Sequence, residues 1–281
     1  MSDEVGYNST MKKRTLSRRL VQLRKDGGLT AAEACRRLEW SEGKLSYIER
    51  AMWIRPNPRD VRDLCELYGL EGEERDALIQ LAKDARERGW WRKYNDVLPS
   101  ELPGLEGGAS RIRTFEIMLV PGLLQVPSYS ESLTRTKFED TVEISRRVAA
   151  RGERRKILVR DDPPAPDYHA VFDEAALLRI TDPAIRKEQI EHLLEMGERD
   201  NITIQVIPID RSFYNGIGEV FVVLDFPDPQ ERGIVFLETY NDERYLEERD
   251  ELARYIVRFD RLCVDALDPE ETSAHLRRRI E

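Results

Sequence analysis

Apolar positions in the first third of the chain recur at helical spacing in five short blocks. Leu16, Leu20 and Leu23 fall at i, i+4 and i+7, and Gly27-Gly28 stops that helix. Thr30 caps a second block, with Glu33 three residues on as its capping-box partner and Ala34 and Leu38 facing inward. Ser41 caps a third, whose inward residues are Leu45 and Ile48. Asn57 and Pro58 open a fourth, which carries Val61, Leu64, Cys65 and Tyr68 to the stop at Gly69. A fifth is predicted from about Glu73 to Arg88, with Ala77, Leu78, Leu81 and Ala85 inward. Ser41–Arg50 lacks glycine at its end, where Arg50-Ala51 stands, so this helix is expected to run on toward Met52. Residues 1–15 read as a flexible tail, and the Pro-, Gly- and Ser-rich stretch 95–110 reads as a linker or domain boundary.

The pattern then becomes mixed. Phe115–Val120 is a short apolar run, ended by Pro121-Gly122, which breaks a strand and starts a helix. Asp140–Arg155 reads as an Arg-rich helix, Tyr168–Phe172 as a strand and Glu174–Ile180 as a short helix. A longer helix runs from Pro183 to Glu198. Ile202–Ile207, Val220–Phe226 and Ile234–Tyr240 are rich in β-branched and aromatic residues and read as strands, before a last helix over Glu247–Leu267. The expected fold is multi-domain: an all-α domain of five helices over 16–94, then an α+β domain with a mixed sheet and flanking helices over 111–281.

Composition narrows the class. Of 281 residues, 40% are hydrophobic and 35% charged, too apolar for a disordered chain and too charged for a membrane protein. No run approaches the roughly 18 apolar residues of a spanning helix, and the start has no apolar leader core. Three cysteines (Cys35, Cys65, Cys263) cannot build a disulfide framework and read as buried small residues, which fits a reducing cytoplasm. The net charge of −9 is unevenly spread: residues 1–70 carry +4 and residues 71–281 carry −13. Within Lys12–Arg55, 12 basic residues face 5 acidic ones. A basic block on an acidic body is the footprint of a small nucleic-acid-binding module, although an Arg-rich solvated surface gives the same count. Neither a phosphate-cradling glycine loop, a Cys-x-x-Cys nor an arguable Ser-His-Asp order is present, so no cofactor, no metal and no enzymatic activity are expected.

Thr30–Leu38, Glu39-Trp40 and Ser41–Arg50 form a helix, a tight turn and a helix, which is helix-turn-helix spacing. The first turn of such a second helix enters the major groove, and its capped N-terminus favours the negative charge of DNA. Facing outward are Ser41, Glu42, Lys44, Ser46 and Tyr47, the candidates for base contact. Glu42 can accept from a cytosine amino group, and Lys44 can reach guanine or phosphate. Arg14, Arg18, Arg24, Lys25, Arg50 and Arg55 are phosphate candidates. Each of these is equally compatible with a solvated helix face. The run LRKDGGLTAAEACRRLEWSEGKLSYIERAMWIRP resembles the phage-repressor/Cro (XRE-type) helix-turn-helix family. That resemblance implies a structural pair between Glu49 of "IER" and Arg24 of the first helix, leaving Arg24 near the DNA backbone. It also marks a departure: Ala31 stands where relatives carry a phosphate-touching Gln.

A second resemblance covers most of residues 100–280. VPGLLQVPSYSESL, VAARGERRKIL, FDEAALLR, IQVIP and the closing acidic helix are similar to the uncharacterised C-terminal domain that follows this helix-turn-helix in actinomycete antitoxin-like regulators. It implies a double-stranded-DNA-binding transcription regulator, a homodimer, whose C-terminal domain serves dimerisation and partner or ligand sensing. The alternative is an antitoxin-like module that chiefly binds a small acidic partner protein. Arg146, Arg147, Arg151, Arg154 and Arg155 form a basic stripe that is either paired internally or a docking face for such a partner.

Overall fold

Caps set the helix boundaries of the first third. The computed structural model describes residues 9–53, 55–86, 89–229, 231–239 and 242–280. By contacts the chain divides into two units, Met1–Arg92 and Lys93–Glu281. The first holds α1 (Ser9–Asp26), α2 (Ala31–Leu38), α3 (Glu42–Glu49), α4 (Pro58–Leu67) and α5 (Gly72–Asp84). Thr30, Ser41 and Asn57 cap α2, α3 and α4, their side-chain oxygens accepting from the amides of Glu33, Lys44 and Arg59. Leu16, Leu20, Ala34, Leu45, Ile48, Val61, Leu64 and Ile79 converge in one core.

Three expectations change here. Helix α1 begins within the stretch 1–15 read as a flexible tail. Ser9, Thr10 and Lys13 are buried on it, polar positions that a hydrophobic pattern does not register; residues 1–8 lie outside the described residues. In α5 the inward face is Leu78, Ile79 and Ala82, with Leu81 half-buried against the core, Ala85 buried as the C-cap and Ala77 exposed; α5 ends at Asp84, and the expected end, Arg88, falls outside the described residues. Helix α3 does not run on toward Met52. It stops at Glu49, Ala51 turns left-handed at φ 56°, and the amides of Ala51 and Met52 donate to the carbonyls of Ile48 and Tyr47. The same closure ends α1 and α4 with Gly28 and Gly69, and α2 with Glu39. Satisfying two helix-end carbonyls outweighs the roughly 1–2 kcal/mol strain of a non-glycine residue there.

The second unit is built on a six-stranded mixed sheet of order β3-β2-β1-β4-β5-β6. Strands β1 (Arg111–Glu116), β2 (Asp167–Asp173) and β3 (Ile202–Ile207) are parallel. Parallel neighbours need long crossovers. These are α7 (Pro127–Arg135) with α8 (Thr141–Arg155), then α9 (Ala175–Leu178) with α10 (Pro183–Gly197). Strands β4 (Phe221–Asp225), β5 (Ile234–Glu238) and β6 (Glu243–Leu246) continue the other side as antiparallel neighbours. Tyr240, the expected end of β5, lies outside the described residues. Helix α11 (Arg249–Asp265) lays Phe259 and Leu262 on Phe115, Phe221 and Val223 of one sheet face. Each such fully buried side chain contributes roughly 1.5–3 kcal/mol. Gly216 packs so closely on Phe115 and Leu262 that any Cβ there would collide with both.

Within 95–110, read as a linker, the chain forms α6 (Leu102–Gly108), with Leu102, Leu105 and Glu106 buried. Pro and Gly marked the break but hid the helix, because Pro103 sits where a first-turn proline is tolerated. After Pro121 the chain makes a short 3-10 turn, Gly122–Leu124, and α7 starts only at Pro127. Gln189 on α10 braces that turn, accepting from the Val126 amide at 2.9 Å and donating to the Leu124 carbonyl at 2.8 Å. Strand β6 and α12 (Pro269–Arg278) were not anticipated.

Candidate nucleic-acid interface

The orientation of α3 is fixed from three sides. Leu45 and Ile48 bury its inner face. Ser17 on α1 donates its hydroxyl to the Ile48 carbonyl at 2.6 Å, a buried bond. Arg24, also on α1, meets Glu49 in a two-bond fork, Nε to Oε1 at 2.6 Å and Nη2 to Oε2 at 2.9 Å. Its remaining Nη1 donates to the Leu29 carbonyl at 2.8 Å and so holds the α1–α2 loop as well. The two side chains are only 11% and 15% exposed. The Glu49 hydrogen bond raises the Arg24 pKa above its ordinary value despite burial.

What α3 leaves outward is small and mixed in charge. Ser41, Glu42, Gly43, Tyr47 and Arg50 are exposed, and Ser46 is half-buried. The Ser41 hydroxyl is occupied as the cap, accepting from the Lys44 amide at 3.2 Å. Arg50 turns back, its Nε donating to the Ser46 carbonyl at 3.3 Å. Around Gly43 a Cβ would meet nothing within 4 Å, so a surface can approach this turn closely. Lys44 is engaged: its Nζ bonds Asp60 of α4 at 2.9 Å and lies 3.5 Å from the centre of the Trp40 ring. Lys25 and Arg55 are exposed, while Arg14 and Arg18 are half-buried on α1. The Trp40–Lys44–Asp60 cluster and the Ser17 anchor escaped the sequence reading. The i, i+4 spacing of Trp40 and Lys44 was the available signal; Asp60 and Ser17 come from other helices and had none.

Residues 15–78 match the family model described as Helix-turn-helix domain. Residues 100–278 match the model described as Domain of unknown function (DUF5753). The chain belongs to the DUF5753 family. No curated protein and no solved structure matches it. The helix-turn-helix match, covering the capped and pinned α3, points to DNA binding.

Inside the DUF5753 unit the arginine stripe of α8 is largely spent internally. Arg146 pairs with Asp96, Arg147 with Glu143, and Arg154 with the buried Glu106 through two bonds of 2.6 and 2.7 Å. Arg155 donates to the Gln125 carbonyl. Burial pushes the thiols of Cys65 and Cys263 up to about 11, so neither is an activated nucleophile at neutral pH. Among the described residues no group of three His, Cys, Asp or Glu side chains can hold a metal, and no helix is long and apolar enough to cross a membrane.

Proposed function

We propose that this DUF5753 protein is a cytoplasmic, sequence-specific regulator of transcription of the XRE type, acting on double-stranded DNA as a homodimer and without enzymatic turnover. The observation that carries the reading is α3 itself, capped by Ser41, locked to α1 by Arg24–Glu49 and Ser17–Ile48, and open on its outer face. In this reading the first turn of α3 enters the major groove, where Glu42 accepts from a cytosine amino group and Ser41, Ser46 and Tyr47 touch neighbouring base edges. Lys44 exchanges Asp60 for guanine or phosphate. Arg14, Arg18, Arg24, Lys25, Arg50 and Arg55 sit against phosphates and set the register. The C-terminal domain supplies dimerisation and partner or ligand sensing.

Selection of bound duplexes from a random pool by the full chain tests this. Two related half-sites about 10–10.5 base pairs apart, or a multiple, are expected for a two-fold dimer. Glu42→Ala should weaken the selected site by about 1–3 kcal/mol and leave random DNA unaffected, because a carboxylate does not attract phosphate. No enrichment at low salt, or equal losses on both DNAs, overturns the reading. The antitoxin-like alternative draws support from Phe213 and Val264, 95% and 82% exposed, which suit a protein partner better than water.

A further inference from the structure

Between α8 and one face of the sheet the DUF5753 unit encloses a cavity of about 410 Å³, within the size range of small-molecule sites. Its two walls carry opposite charge. Arg147, Arg151 and Arg154 recur along α8 at i, i+4 and i+7 and therefore line one helix face. Opposite them are Glu116, which closes β1, and Glu238, which closes β5. Those strands run the same way on either side of antiparallel β4, so both carboxylates lie at one end of the sheet. Two of the arginines are neutralised, Arg147 by Glu143 and Arg154 by Glu106. Arg151 is not: its one bond goes to the neutral Gln125 Oε1 at 2.7 Å, and among the described residues no carboxylate lies within ion-pair distance. The Glu116 side chain has neither a hydrogen bond nor an ion pair among the described residues, its backbone being held in the β1–β2 ladder. Burial, reinforced by the Glu238 charge and opposed by Arg154 and Arg151, pushes the Glu116 carboxyl up to about 8. Burial, then Arg154, lowers Arg151.

Half-buried ionisable groups without an ion pair are costly, and a fold optimised only for stability replaces them. Here an arginine and a carboxyl group face one cavity with no ion pair between them, and Leu123 and Phe236 add apolar lining. We propose that this cavity binds a small zwitterion of dipeptide size, its carboxylate on Arg151, its ammonium on Glu116 and Glu238, and its apolar body between. This gives the sensing role a site and a chemical class, and it rests on the regulatory reading only for its consequence. Binding is measured without DNA, so failure here and failure of the DNA-binding reading are separate results.

The probes are leucyl-leucine and leucyl-phenylalanine, titrated calorimetrically into the full-length protein at pH 7, with the N-acetylated and C-amidated forms as controls. The free dipeptides should bind at one equivalent and raise Tm. Each capped form should bind at least about tenfold more weakly, having lost one charged contact. An ammonium docking on a mostly protonated Glu116 ionises it, so binding should release protons, seen as unequal apparent enthalpies in Tris and phosphate; the N-acetylated form should release none. Arg151→Gln and Glu116→Gln should each weaken binding about tenfold or more while leaving the ligand-free Tm equal or higher. The proposal is overturned by no binding of either dipeptide at millimolar concentration, by equal binding of the capped forms, or by variants that melt lower and bind normally.

Discussion

Glu49→Gln is expected to destabilise the first unit while leaving base preference unchanged. The substitution keeps the shape of the side chain and removes its charge; the amide oxygen can still accept one arm of the Arg24 fork, but the second arm and the ionic attraction are lost, and an amide NH2 is turned toward the guanidinium. Breaking a fully buried pair by removing one partner costs about 3–5 kcal/mol. With 11% and 15% of the side chains still exposed, water recovers part of that, and about 2–3 kcal/mol remains. For a cooperative unit of this size the loss corresponds to roughly 10–20 °C in its own transition. Calorimetry of the full chain, with hydrogen exchange of the α1–α5 amides to assign the transition, measures it. Affinity should fall by a similar factor on every DNA sequence, because α3 loses its clamp and not a base contact. The double variant Arg24→Met with Glu49→Leu tests the cause: with no charge left unpaired, stability should return to within about 1 kcal/mol of the parent. A Glu49→Gln protein that melts normally but selects different DNA, or a double variant whose losses simply add, refutes the structural assignment.

Three further outcomes follow from local geometry. Ala51→Gly should raise stability by about 0.5–1 kcal/mol in a urea titration, the relief of left-handed strain exceeding the entropy that glycine adds to the unfolded chain; a lower midpoint would show that Ala51 packs in a way the strain argument omits. Asp60→Asn releases Lys44 from its ion pair, at a cost under about 1 kcal/mol because the pair is partly exposed, and should strengthen DNA binding at low salt; weaker binding would place Lys44 among structural residues only. Glu174 is raised by burial but lowered more by the Ile209 amide, His275 and Arg279, leaving it below its ordinary value. A depressed carboxylate contributes stability above its unfolded pKa of about 4.3 and loses it as pH falls through the folded value. Glu174→Gln should therefore lower Tm at pH 7 and flatten the acid limb of the Tm–pH curve; parallel curves would show that this cluster does not govern acid stability.

The features read from sequence are those written in neighbouring residues. Caps at Thr30, Ser41 and Asn57 and the Leu45/Ile48 face need only a few consecutive positions, and they located α2, α3 and α4 to within a residue or two. The pairing of Arg24 with Glu49 was reached only through a family resemblance, since 25 residues separate them and no local rule joins them. Ends were harder where two terms compete. At Ala51 the missing glycine argued for a longer helix, and the two carbonyl bonds made by the Ala51 and Met52 amides won.

Long-range consequences were illegible for a more general reason. Arg147, Arg151 and Arg154 share one face of α8 at helical spacing, so nothing local separates Arg154 from Arg151. One meets Glu106 from a helix hidden in a Pro/Gly-rich stretch, and the other meets a neutral Gln125. That difference appears only once the sheet order brings β1 and β5 to either side of β4 and carries their terminal glutamates beneath α8. A charge stripe therefore has no single meaning: it is scaffold where a carboxylate reaches it. It becomes a candidate binding wall where the fold withholds one, and in this chain both occur within one turn of a single helix.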